Sequence, residues 1–323
     1  MTTSRQIRWA LGLAGCLLLQ GSGCQWFRNN ILNPGDKSTA LNERPTKESL
    51  AAYLNRESAR IQSLQVNNLA MEASLGMGLR SIGLNGTLQA QKPRNFRLEG
   101  YIPGARSDVV DVGSNDREFW FWVGDGGRGG ETPALYHCSH TDLPKAVLPL
   151  PIYPEWIMEA LGMGSVDPQA DLRIEYARDG KTFDLIEATR SPQGKPVYKV
   201  TTFNARTVSG TEPQVRSRKL LDANMRLICQ ADIEEMQQTP SGVVVPRRVT
   251  LFYPGERKLD QLTLKLVMDT VAVNLPVDPA MASIWFTRPQ KPGVLALDLA
   301  KLQPANTTFR NPPPTPTIRG RSR

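Results

Sequence analysis

From residue 69 to residue 273 the chain repeats one pattern: short runs with an apolar side chain at every second position, separated by turn residues. Leu69, Met71, Ala73 and Leu75 alternate with Ala70, Glu72 and Ser74. Ile82, Leu84, Gly86 and Leu88 alternate with Gly83, Asn85, Thr87 and Gln89. Leu262, Leu264, Leu266 and Met268 face one way, and Thr263, Lys265, Val267 and Asp269 the other. A period of two buries one face of a strand and leaves the other wet, as antiparallel sheets do. Further runs fall at about 95–99, 107–112, 117–123, 133–139, 171–177, 182–189, 196–203, 214–221, 225–233 and 243–253. So many strands with no alternating helices exclude a βαβ architecture. Large flat sheets are unusual, so the expectation is a mainly β (α+β) fold: one strongly curved antiparallel sheet or half-open β-barrel.

Two stretches break the period. Thr46 can cap a helix over about 46–64, on which Leu50, Tyr53, Leu54, Ile61 and Leu64 recur at helical spacing. After Pro154, the residues Trp156, Ile157, Ala160 and Leu161 give a second short helix at 154–163.

The start of the chain has a different character. Arg5 and Arg8 lead into the apolar run Trp9 to Leu19, followed by Gly21-Ser22-Gly23-Cys24. That order reads as a bacterial export signal, too short for a membrane span of ~18 or more apolar residues. The cysteine at the cut point makes it resemble a lipoprotein signal, in which the cysteine takes lipid and becomes the new N-terminus. Cys24 has the longer apolar run before it and is the favoured acceptor. Cys16, in Leu13-Ala14-Gly15-Cys16, matches the lipobox pattern more closely and is the alternative. The expected organisation is a signal at 1–23, a flexible tether at 24–45, a folded domain at 46–303 and a Pro-rich basic tail at 304–323. The run Pro312-Pro313-Pro314-Thr315-Pro316 cannot join a sheet. A signal of this kind places the domain in the cell envelope, facing the periplasm. Gln25 after the lipid cysteine favours the outer membrane, by resemblance to known sorting rules.

The chain of 323 residues has a net charge of +8; residues 1–23 carry Arg5, Arg8 and no acid, so the processed chain has +6. A nucleic-acid footprint would need a denser basic face with stacking aromatics. Attraction to anionic lipid head groups suits a tethered envelope protein better. Cys138 and Cys229 remain after processing, and in an oxidising compartment such a leftover pair is a candidate disulfide.

Several motifs fail on inspection. The glycine-rich 124–130 loop lacks the Gly-Lys-Ser/Thr ending of a phosphate loop. His137 and His140 would point to opposite faces of a strand, and the chain has no third histidine, so no metal is expected. No Gly-x-Ser-x-Gly elbow or acid/base constellation supports an enzyme, and no cofactor is implied.

The order of helix, strand, strand, then Lys92-Pro93-Arg94-Asn95-Phe96-Arg97-Leu98, resembles the LolA/LolB-like family of periplasmic lipoprotein carriers and outer-membrane lipoprotein receptors. Ser107 to Gly113 and Glu118-Phe119-Trp120-Phe121-Trp122 take the places of that family's short "V-x-D-G" strand and its aromatic strand. Ile284-Trp285-Phe286-Thr287-Arg288-Pro289, then Pro292-Gly293-Val294, is similar to its closing segment. The resemblance spans roughly residues 46–300, with an insertion at about 130–170. It implies a half-open sheet wrapped round an apolar cavity, with helices as a lid. The cavity candidates are then Phe96, Leu98, Trp120, Trp122, Leu262, Leu264, Leu266 and Met268, each equally readable as packed core. Trp120 and Trp122 share a face opposite Phe119 and Phe121, so both faces of that strand should be covered, one by core and one by helix or ligand. The function this implies is binding of acyl chains or of the lipid end of a lipoprotein. The alternative is an envelope interaction or sensor lipoprotein that uses the same sheet to bind a protein partner.

Overall fold

A computed structural model describes residues 39–40, 44–75, 80–104, 108–123, 134–148, 152–207, 214–255 and 261–302. The signal at 1–23, Cys16, Cys24, most of the tether, the glycine-rich 124–130 loop and the tail at 304–323 lie outside the described residues.

In chain order, a short strand β1 (Thr39–Ala40) precedes helix α1 (Lys47–Ala59). Strands β2 (Ser63–Leu75), β3 (Arg80–Gln91), β4 (Asn95–Tyr101), β5 (Asp108–Ser114), β6 (Glu118–Val123) and β7 (Leu135–Ser139) follow, then helix α2 (Pro154–Ala160). The second half contains β8 (Asp171–Tyr176), β9 (Thr182–Arg190), β10 (Pro196–Asn204), β11 (Arg206–Thr207), β12 (Val215–Asp222), β13 (Leu227–Gln238), β14 (Val244–Tyr253) and β15 (Leu262–Met268). It ends with β16 (Ala272–Val273), helix α3 (Pro279–Trp285) and β17 (Ala296–Asp298). β1 pairs only with β11, so the expected tether already makes sheet contacts at residues 39–40.

The other strands form one 15-stranded sheet, ordered β17-β7-β6-β5-β4-β3-β2-β15-β14-β13-β12-β10-β9-β8, with β16 beside β2. The two ends of this order do not pair, so the barrel stays open. The pairing between β17 and β7 is parallel and makes the sheet mixed at that edge, while its other ladders are antiparallel.

The helices end earlier than their periodicity predicts. Thr46 caps α1 as expected, accepting from the Ser49 N–H while Ser49 bonds back. The helix stops at Ala59 because the Arg60 N–H turns back to the Glu57 and Ser58 carbonyls, and Leu64 enters β2 opposite Ala90. α2 stops at Ala160, two residues before Gly162, whose φ of +90° suits a residue without Cβ.

Cross-strand register carries one inner face across the whole sheet. Leu266 stands opposite Val249 and Met71, Met71 opposite Leu84, Leu88 opposite Leu98, Leu98 opposite Val112, and Val112 opposite Phe121. These residues are buried in one cluster with Ile157, Met158 and Ala160 of α2. On the other half, Phe183, Leu185, Phe203 and Ile233 pack under Leu50, Ala51 and Leu54 of α1. Both helices therefore lie on the same side of the sheet.

The placement of α2 requires strong curvature. One side of this helix packs on β4 and β5, yet its Glu159 Oε1 lies 2.6 Å from Lys199 Nζ on β10. Eight strand-to-strand steps separate β5 from β10, a path of ~38 Å at ~4.8 Å per strand. A helix of seven residues is only ~10 Å long. The sheet must fold round α2 for both contacts to exist.

Candidate functional site

The strands bring together most of the predicted cavity residues. Phe96, Leu98, Leu264, Leu266 and Met268 are buried in the cluster that α2 covers, and Leu262 packs at its margin. Trp120 and Trp122 are not there. They point to the opposite face and form a separate cluster with Leu135 and Val294. The expectation that they line one cavity with Leu264 is corrected: in β6 it is Phe119 and Phe121 that join the inner-face cluster.

The cover over the two tryptophans is the chain that follows β16. It crosses the outer face of β4, β5 and β6 through α3 and then joins the far edge as β17. Asp111, fully buried, anchors this crossing. It accepts from Trp120 Nε1 and from Arg97, each at 3.0 Å, and Lys291 Nζ lies 3.5 Å away. Arg97 also donates to the Ile284 and Trp285 carbonyls, and Asn115 to that of Phe286. Lys291 sits 4.2 Å over the Trp122 ring, a cation–π contact.

Cys138 and Cys229 are free thiols, which corrects the candidate disulfide. Cys138 is on β7 and Cys229 on β13, with seven strands between them in the sheet order. Burial pushes the Cys138 thiol up to about 11 and raises that of Cys229 further. Neither is a thiolate at neutral pH. His137 is 3.8 Å from Glu118, while His140 bonds the Asn115 carbonyl at 2.8 Å.

The inner face holds a cleft that sequence reading missed. It lies between α2 and strands β9, β10, β12, β13 and β14, lined by Trp156, Glu159, Glu187, Lys199, Arg218 and Tyr253 among others. Its empty space is about 570 Å³ with the open mouth included. Four charges meet there. Glu187 stands directly opposite Lys199 in the β9–β10 ladder, and Arg218 opposite Thr201 in the β10–β12 ladder. Lys199 is held by Glu159, reaching across from α2. Burial raises the Glu187 carboxyl, partly offset by Lys199, and lowers the Arg218 guanidinium. Among the described residues, the buried Nε of Arg218 has no hydrogen-bond partner. A signal for these groups did exist: on β12, Arg218 shares the inward parity of Leu220, a charge where the alternation calls for an apolar residue.

Among the described residues, no group of histidine, cysteine and carboxylate side chains could hold a metal ion. No helix there is long and apolar enough to cross a membrane.

Comparison with family models gives no match, and neither does comparison with curated proteins. Solved structures similar to the chain include a domain assigned as an outer membrane lipoprotein-sorting protein from Vibrio parahaemolyticus. Its TM-score is 0.46 at 10% identity, over 74% of this chain and 97% of that one. A DUF1329 family protein from Desulfovibrio piger gives a TM-score of 0.44 at 10% identity, over 73% and 95%. A LolA superfamily protein from Nitrosomonas europaea gives 0.40 at 13% identity, over 74% and 97%.

Proposed function

We propose that this chain is an envelope binding protein, not a catalyst, that takes an acyl chain, free or as the lipid end of a lipoprotein, between its inner sheet face and α2. The observation that carries the reading is the inner face itself. It runs apolar from β14 through β2 to β6, is enclosed by an open sheet, and is closed over by a two-turn helix. Displacing a short helix exposes a long apolar trough, and each acyl CH₂ that enters it gains about 0.8 kcal/mol. An open sheet can widen to admit a ligand, which a closed and filled barrel cannot. In this proposal lipid on Cys24, or alternatively on Cys16, holds the protein at the periplasmic side of the outer membrane.

A second reading, a partner-binding lipoprotein without lipid cargo, has one observation in its favour. Leu266 and Met268 are fully buried, so the trough is packed shut in this state.

One substitution pair separates the readings. Leu264 is inward and buried, whereas Lys265 is outward and 3.4 Å from Glu72. Leu264→Glu places a charge in the trough, at a desolvation cost. It should weaken binding of a fluorescent fatty-acyl probe at least about tenfold more than Lys265→Glu, with circular dichroism confirming that both variants fold. A wild-type protein that binds no acyl probe, and releases no lipid on extraction and mass spectrometry, supports the partner-binding reading.

A further inference from the structure

The cleft between α2 and β9–β14 gathers two cations and two carboxylates against a face whose other inward residues are mostly apolar. Packing does not demand them, because the neighbouring inward positions are Leu185, Leu220, Ala231 and Leu251. Lys199 and Arg218 sit diagonally on adjacent strands of the same face and line the same space. Such diagonal neighbours lie ~7–8 Å apart, a span that one carboxylate or phosphate group can bridge with two long side chains. Lys199 already holds an anion there: the Glu159 carboxylate at 2.6 Å, delivered by α2. Among the described residues Arg218 holds none so directly. Glu159 and Glu187 act on it only as nearby charges, and its buried Nε–H is left without a partner among the described residues. Leaving a buried donor without a partner is unfavourable, and an incoming anion would remove that cost.

We infer that the ligand is an amphipath with an anionic head, a carboxylate or a phosphate, which seats on Arg218 and replaces Glu159 on Lys199 while its tail enters the apolar trough. This inference rests on the acyl-binding reading and names the class of ligand. Replacement of Glu159 couples binding to the lid, since the same ion pair fastens α2 to β10. Glu187, opposite Lys199, then keeps the cation pair compensated when the cleft is empty.

The test uses isothermal titration of the purified chain with dodecanoate, dodecyl phosphate and dodecanol, which share a tail and differ in head. At least one acid should bind about tenfold or more tighter than dodecanol, the scale of one charge-assisted hydrogen bond. Preference for dodecanoate identifies a fatty acid, and preference for dodecyl phosphate a phospholipid-like head. Arg218→Gln should bring both acids to the dodecanol level and leave dodecanol unchanged, and Arg218→Lys should keep most of the preference. If dodecanol binds as tightly as both acids, the inference is overturned while the acyl-binding reading stands. It is overturned in the same way if Arg218→Gln weakens all three ligands equally, since that marks a structural arginine. If none of the three binds, both readings fall together.

Discussion

Glu187 shows how one residue can trade stability for a binding site. It is buried on the inner face, and burial raises its carboxyl above the usual carboxylate range; Lys199 and the Asp167 N–H oppose the shift without cancelling it. The folded state therefore holds the proton more tightly than the unfolded chain does. Between the unfolded value of ~4.3 and the raised folded value, the unfolded state binds fewer protons. Stability must then fall as pH rises through that window, and it stays reduced at neutral pH. Glu187→Gln keeps an oxygen to accept the Asp167 N–H and removes the charge. We expect the variant to be more stable than the wild type at pH 7, and the difference to shrink toward pH 4. Urea midpoints measured at both pH values would show this. A variant equally or less stable at pH 7 would mean that Lys199 and the Asp167 N–H fully compensate the carboxylate.

At the scale of elements, the crossing from β16 to β17 explains why β6 is aromatic on both faces. Glu118-Phe119-Trp120-Phe121-Trp122 reads as a strand covered on two sides, and it is: Phe119 and Phe121 are buried in the inner-face core, and the segment after α3 covers Trp120 and Trp122. The alternation alone could not say which pair faced inward. That is decided by a segment about 170 residues later, whose elements are too short to leave a period: α3 has seven residues, β16 two and β17 three. The longer strands were legible because each buries one face, so their parity is written in the side chains. The cleft was less legible, because burial of Lys199 and Arg218 depends on how β9, β10 and β12 pair, and on α2 folding back over them. The crossing itself makes a prediction. Asp111→Ala removes the acceptor shared by Arg97 and Trp120 and strands positive charge under the segment. Breaking a buried pair of this kind costs about 3–5 kcal/mol, and the low end applies because Arg97 keeps Glu99 at 2.9 Å. Urea denaturation should show that loss, and chymotrypsin should cut faster after Trp285 and Phe286, which precede Phe286 and Thr287. Unchanged cleavage there would mean that Val294 and the β17 ladder hold the segment without Asp111.

For the molecule as a whole, the decisive question is whether α2 is a lid or a fixed part of the core. The helix is joined to α1 through the loop that follows it: Ser58 Oγ donates to the Met163 carbonyl at 2.8 Å, and Asn55 bonds both the N–H and the carbonyl of Val166. On the side of β10 its link is the Glu159–Lys199 pair. The two carboxylate and ammonium side chains are still a fifth to a quarter exposed, so the pair is worth no more than about 1 kcal/mol once solvent screening is allowed for. That is enough to bias a lid and too little to hold a core together. If ligand enters only when α2 is open, and bound ligand already breaks the pair, Glu159→Gln acts on the closed state alone. The open fraction should rise about threefold to fivefold, the effect of losing up to ~1 kcal/mol. On-rate and affinity for an acyl probe should rise by that same factor, with the off-rate unchanged, because apparent affinity scales with the competent fraction. Amide exchange of residues 155–161 should quicken in step, while that of β2 and β15 stays as in the wild type. Stopped-flow binding and hydrogen exchange on the same preparation decide it: no gain in either rate makes the helix a fixed cover and the trough a core, and faster exchange in α2 without a faster on-rate means that its opening does not admit ligand.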